Sequence, residues 1–174
     1  MKKYLVSLFL LQLFSCTPQE NKKANTVAYF DLAGYFEQEA ARLQKGNPTI
    51  IKNVTALAKA EQKATKITDW KTELASFSNA DINKSSWKGE FITTNNTGNI
   101  SYATTNPKIP IKKIEIVSIN NKVKSVKIFK ATKNYLYTSK DTLIYYPDSL
   151  YFIQNLQNIK LLGDKKYQVT GKFK

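Results

Sequence analysis

The chain has 174 residues, 42% hydrophobic and 23% charged, with 27 basic against 13 acidic side chains, one cysteine and no histidine. That is one domain's worth of chain, too apolar for a disordered polymer and too poor in glycine and proline for a collagen-like one. The missing histidine excludes Ser-His-Asp and Cys-His nucleophile schemes and zinc sites built on imidazole. Of the basic residues behind the net charge of +14, only Arg42 is arginine. Recognition of phosphates and base edges leans on the guanidinium fork, so the balance argues against a nucleic-acid partner. Lysine, asparagine, isoleucine and tyrosine share AT-rich codons, which accounts for much of the charge. What remains suits an anionic surface such as lipid headgroups or acidic glycans.

At the amino terminus, Lys2 and Lys3 precede an apolar run from Tyr4 to Phe14, broken only by Ser7 and Gln12 and ending at Ser15 and Cys16. A span of a bilayer needs about 20 apolar residues, so residues 1–15 read as a secretory signal peptide. Leu13-Phe14-Ser15-Cys16 resembles the lipobox of bacterial lipoproteins, in which a small residue precedes the cysteine that is acylated and becomes the new amino terminus. The resemblance implies cleavage between Ser15 and Cys16 and a membrane anchor of several acyl chains on Cys16, enough for stable attachment. Thr17 follows the cysteine where an aspartate would retain the protein in the inner membrane, which implies the outer membrane. Glu20 is followed by Lys22 and Lys23, with no strong acidic run to mark export, so the domain is expected to face the periplasm. Residues 16–28 are then the lipidated cysteine and a polar tether, and residues 29–174 a single domain. With its lone thiol used for lipid, that domain has no disulfide and must be held by packing.

From Asp31 to Lys45 the apolar residues Leu32, Phe36, Ala40 and Leu43 recur at helical spacing, with Asp31 as cap and Gly46-Asn47-Pro48 as stop. Residues 49–67 are ambiguous: Ile50, Ile51, Val54 and Leu57 suit a strand, whereas residues 58–66 are good helix formers. A β-hairpin turning around Glu61 is the chosen reading. A second helix is expected after Thr68 or Asp69, with Trp70, Leu74 and Phe77 on one face, ending near Asn79.

Beyond Lys88 the texture becomes β. Turn signals at Thr97-Gly98-Asn99, Asn106-Pro107, Asn120-Asn121, Lys133-Asn134, Pro147-Asp148 and Gly163-Asp164 separate runs rich in Ile, Val, Tyr, Phe and Thr. Strands joined by such short turns imply an antiparallel meander. In the hairpin around Asn120, a three-residue loop Asn120-Asn121-Lys122 would pair Ile119 with Val123 and gather Ile114, Ile116, Val126 and Ile128 on one face, so that loop is predicted. The predicted fold class is α+β, one or two N-terminal helices packed on an antiparallel meander of about six strands. In element order this resembles the cystatin-like and lipoprotein-carrier-like folds.

No constellation of catalytic or metal-binding residues emerges. The acidic residues are scattered, and no calcium-loop or phosphate-cradling spacing is present. Ser139 and Lys140 are adjacent, yet neighbours on a strand point to opposite faces, so they make no Ser-Lys dyad. No metal and no cofactor is expected. The candidate binding feature is a platform of Tyr135, Tyr137, Tyr145 and Tyr151, amphipathic rings suited to a sugar or a partner protein. The expected function is a non-enzymatic envelope lipoprotein, an accessory or binding subunit that reaches the membrane through its lipid and contacts an envelope protein or anionic envelope component. The rival is a periplasmic carrier for a small hydrophobic ligand, which requires an apolar cavity between helices and sheet.

Overall fold

The computed structural model describes residues 28–56 and 59–174. The expected signal peptide, the cleavage site at Ser15 and Cys16 and most of the tether lie outside them. After helix α1 (Leu32–Gly46) come strands β1 (Thr49–Ala56) and β2 (Lys59–Lys66), then the single-turn helices α2 (Trp70–Glu73) and α3 (Ala75–Ser78). A 3-10 turn at Ser85–Trp87 leads to seven further strands: β3 (Ile92–Asn96), β4 (Asn99–Ala103), β5 (Ile111–Ile119), β6 (Lys122–Lys133), β7 (Tyr137–Tyr146), β8 (Leu150–Ile159) and β9 (Gly163–Phe173). All nine form one antiparallel sheet in the order β2-β1-β9-β8-β7-β6-β5-β4-β3.

The α+β expectation with about six strands is therefore corrected to a β-rich fold: among the described residues, a nine-stranded sheet with one helix longer than a single turn. Two causes account for the difference. The six turn signals do delimit a meander, but of seven strands, β3 to β9. The β1–β2 hairpin then joins the far edge of that meander, β1 pairing with β9 from Ile50 opposite Phe173 to Ala56 opposite Tyr167. Residues 59–66 contain good helix formers, yet the open edge of β1 offers each of them a ladder partner, and pairing outweighs local propensity. The hairpin expected there exists, but Glu61 lies within β2 opposite Val54 rather than at the turn. Lys59, Lys63 and Lys66 mark β2 as a solvated edge that resists pairing with another chain.

Helix α1 follows its sequence pattern. The Asp31 side chain accepts the Gly34 amide at 2.8 Å, and Asn47 ends the helix in the left-handed conformation. Leu32, Phe36, Ala40 and Leu43 are the buried face. The expected second helix is instead two single turns that break at Leu74, while Trp70, Leu74 and Phe77 still share the buried side. Gln44 of α1 accepts from the Trp70 amide and donates to the Thr68 carbonyl, fixing α2 beside α1.

The helices cover one face of the sheet. That inner face carries Ile50 on β1, Val169 on β9, Tyr151 on β8, Leu143 and Tyr145 on β7, Val126 and Ile128 on β6, and Ile114 and Ile116 on β5, all buried. The hairpin of β5 and β6 corrects the loop prediction while keeping its consequence. Asn120 and Asn121 form a two-residue turn with both residues at positive φ, so Ile119 faces Lys122. The extra residue sits inside the ladder instead, as a bulge at Lys124 between the pairs Ser118–Val123 and Val117–Ser125. Ile114 thus faces Ile128 and Ile116 faces Val126, the apolar face that the sequence demanded.

Candidate functional site

Two buried tyrosines join sheet to helices. Tyr145 and Tyr151 face each other across β7 and β8, and neither is exposed to solvent. The Tyr145 hydroxyl donates to Glu39 of α1 at 2.6 Å, and that of Tyr151 donates to Glu73 of α2 at 2.5 Å. Each carboxylate is also held by a cation: Arg42 donates to both oxygens of Glu39 at 2.9 Å, and Lys52 of β1 lies 2.7 Å from Glu73. Arg42 reaches on to Asp148 in the β7–β8 turn at 2.8 Å, so the chain of contacts runs from turn to helix to strand. Burial, with the bonded carboxylates second, pushes both hydroxyls far above the ordinary tyrosine range. The Tyr151 ring occupies the space where a side chain on Gly171 of β9 would stand, which is why that strand carries glycine there. The posts are structural: their donors and acceptors are spent on one another.

The other end of the inner face lies away from the β7–β8 turn. The connections β4–β5, β6–β7 and β8–β9 gather there, by the alternation of an antiparallel sheet. Past Leu143 the face becomes polar. Asn155 donates to Ser139 and Asp141, Ser139 donates to Asp141 at 2.9 Å, and Lys130 lies 3.3 Å from Asp141. Ser139 is buried and Lys140 is exposed on the opposite face, as the alternation requires. At the very tip, the β6–β7 loop exposes Tyr135 and Leu136, and the β8–β9 loop exposes Leu161 and Leu162. The loops touch: the Lys160 amide donates to the Leu136 carbonyl at 3.0 Å, and the Lys160 ammonium sits 4.0 Å above the Tyr135 ring.

The four tyrosines of the expected platform therefore separate. Tyr145 and Tyr151 belong to the interior, and they are corrected from surface residues to posts, because Glu39 and Glu73 reach down to satisfy hydroxyls that burial would otherwise orphan. Tyr135 and Tyr137 stay at the tip, Tyr135 81% exposed and Tyr137 at 36%. The residues that sequence reading passed over are Leu136, Leu161 and Leu162. Their signal was present, since two leucines directly before the turn glycine Gly163 are apolar residues where a loop should be polar.

Between helices and sheet, the space is filled by Trp70, Phe36, Phe77, Tyr145 and Tyr151, each at most 1% exposed. Phe36 stacks on Phe77 at 4.9 Å and meets Tyr145 edge-on at 5.2 Å, and Trp70 stacks on Phe173 at 5.6 Å. The grooves described on the surface are open; one of about 300 Å³ on the outer face is lined by Thr94, Ser101, Glu115, Ser125 and Lys127 among others. Among the described residues, no three acidic, cysteine or histidine side chains come together as a metal site, and no helix is long and apolar enough to cross a membrane. Comparison of the chain with protein-family models, curated proteins and solved structures finds no match to any of them.

Proposed function

We propose that this protein is a non-enzymatic lipoprotein of the cell envelope, an accessory or binding subunit held to the outer membrane through Cys16 and facing the periplasm. The observation that carries the reading is the filled helix–sheet interior. Large aromatic side chains occupy the space in which a carrier would hold its ligand, so recognition falls to the surface. The carboxylates nearest that interior, Glu39 and Glu73, are committed to Tyr145 and Tyr151. Secretion and tethering rest on the Lys2-Lys3 start, the apolar run and the Leu13-Phe14-Ser15-Cys16 sequence.

Fractionation of cells that express the wild type and Cys16→Ala tests the anchor. The wild type is expected in salt-washed membranes and the variant in the soluble fraction; a variant that stays in the washed membranes overturns the anchor. Mass spectrometry of protein purified in mild detergent tests the carrier alternative. A stoichiometric apolar molecule bound non-covalently would replace the proposed function with that one.

A further inference from the structure

We propose that the paired β6–β7 and β8–β9 loops are a membrane-docking tip, which sinks Tyr135, Leu136, Leu161 and Leu162 into the interface of a bilayer containing anionic lipid. The proposal deepens the tethered reading by naming what the exposed end touches, but it rests on the loops and does not need the anchor. Leu161 is 93% exposed and Tyr135 81%, with Leu162 and Leu136 at about two thirds. Four large apolar side chains at the apex of two touching turns are an exception among water-facing loops, where such residues are scattered singly. The loops are shaped in advance. Asn134 accepts the amides of Leu136 and Tyr137, each at 2.9 Å, and the Lys160 bond to the Leu136 carbonyl ties one loop to the other.

Charge selects the partner. Lys133, Lys160, Lys165 and Lys166 ring the tip, and the acidic residue among them, Asp164, accepts a bond from Asn158 at 2.6 Å. Lysine collars around apolar residues are unfavourable in protein interfaces, which are depleted in lysine. Two narrow turns also present a convex point rather than the face of roughly 800 Å² that a stable protein partner covers. A fluid layer of headgroups accepts a convex point and needs no fixed geometry, which suits the flexible ammonium as a point charge. Tyrosine with its hydroxyl at headgroup level is the side chain that interfaces favour. The domain also begins at this end of the sheet: the Tyr29 hydroxyl accepts the Gly89 amide at 3.0 Å, and its ring packs on Phe91, one residue before β3. A membrane-bound tether would therefore arrive on the side where the tip points.

The test places an environment-sensitive fluorophore on the full chain at Leu162→Cys, and in parallel at Asn96→Cys, the last residue of β3 beside the turn at the opposite end. Both are made with native Cys16 and with Cys16→Ser. The number of dyes per chain on the native background reports whether Cys16 is acylated, so a failed anchor is read separately from a failed tip. The proteins are mixed with phosphatidylcholine vesicles, with or without phosphatidylglycerol, that carry a lipid-borne quencher. On the anionic vesicles the label at 162 is expected to shift to the blue and to be quenched, with recovery in high salt, while the label at 96 keeps its aqueous spectrum. Equal aqueous spectra at both positions on anionic vesicles overturn the proposal. So does a label at 162 that is shielded by a bound protein and ignores the lipid.

Discussion

Replacing Tyr145 with Phe removes one hydroxyl and keeps the ring that Phe36 and Phe77 pack against. The lost bond runs to a carboxylate, a class worth about 1.5–3 kcal/mol. Glu39 keeps both bonds from Arg42 and its side chain retains 13% exposure, so water and the guanidinium partly compensate and the loss falls at the low end, about 1.5 kcal/mol. For a domain of this size that lowers Tm by roughly 5 °C. Glu39→Ala costs more, about 2–3 kcal/mol, because it leaves the buried hydroxyl without an acceptor. The double variant should cost less than the sum of the two, by about 1.5 kcal/mol. Urea titration followed by tryptophan fluorescence measures each value, since Trp70 lies in the same core. The pH dependence has a definite sign. The folded state holds the Tyr145 and Tyr151 hydroxyls protonated, with burial the first cause, whereas the unfolded chain ionises them near pH 10. Their contribution is complete below that pH and declines above it by about 1.4 kcal/mol per pH unit for each tyrosine. Tyr145→Phe should remove one share of that slope. A Tm change under about 1 °C, with no coupling to Glu39 and an unaltered alkaline slope, would refute the post as a source of stability.

Four further outcomes check the packing, the register and a helix cap. Gly171→Ala should cost about 3 kcal/mol by forcing the buried Tyr151 ring aside, and a smaller residue at 151 should restore part of it; a neutral Gly171→Ala contradicts the close approach. Deletion of Lys124 removes the bulge and leaves Ile116 facing Val126, so thermal denaturation should show a change below about 1 kcal/mol. Deletion of Lys127 would turn Ile128 away from the core and should abolish cooperative unfolding; equal effects of the two deletions would refute the register. Asp69→Ala removes the acceptor of the Thr72 amide at 3.0 Å and should destabilise by about 1 kcal/mol, a loss that Asp69→Asn largely avoids.

Where a feature depends on neighbours in the chain, its residues announce it. Helix α1 was legible to within one residue because cap, stop and buried stripe all lie within 17 consecutive positions, Asp31 to Asn47. Four turns of the meander were legible because each needs a residue that tolerates positive φ, as Gly98, Asn120, Asn121, Asp148 and Gly163 do. The other two were marked by Asn106 and Asn134, whose side chains accept backbone amides two residues on. The apolar face of β5 and β6 was legible too, but the place of its extra residue was not, since a bulge and a longer loop satisfy the same alternation.

The site divided along the same line. Tyr135, Tyr137, Tyr145 and Tyr151 look alike in sequence, and burial depends on what lies across from each. Glu39 and Glu73 come from segments more than 70 residues distant from their tyrosines, and only the folded chain sets them above Tyr145 and Tyr151. By itself the sequence determined the first helix, the turns and the alternation of the strands, all consequences of local geometry and local chemistry. Tertiary structure decided that β1 closes on β9, that two tyrosines become buried posts and that two distant loops meet in one exposed tip. Those outcomes depend on which edges and faces meet across the sheet, and pairing between remote segments leaves little trace in either segment alone.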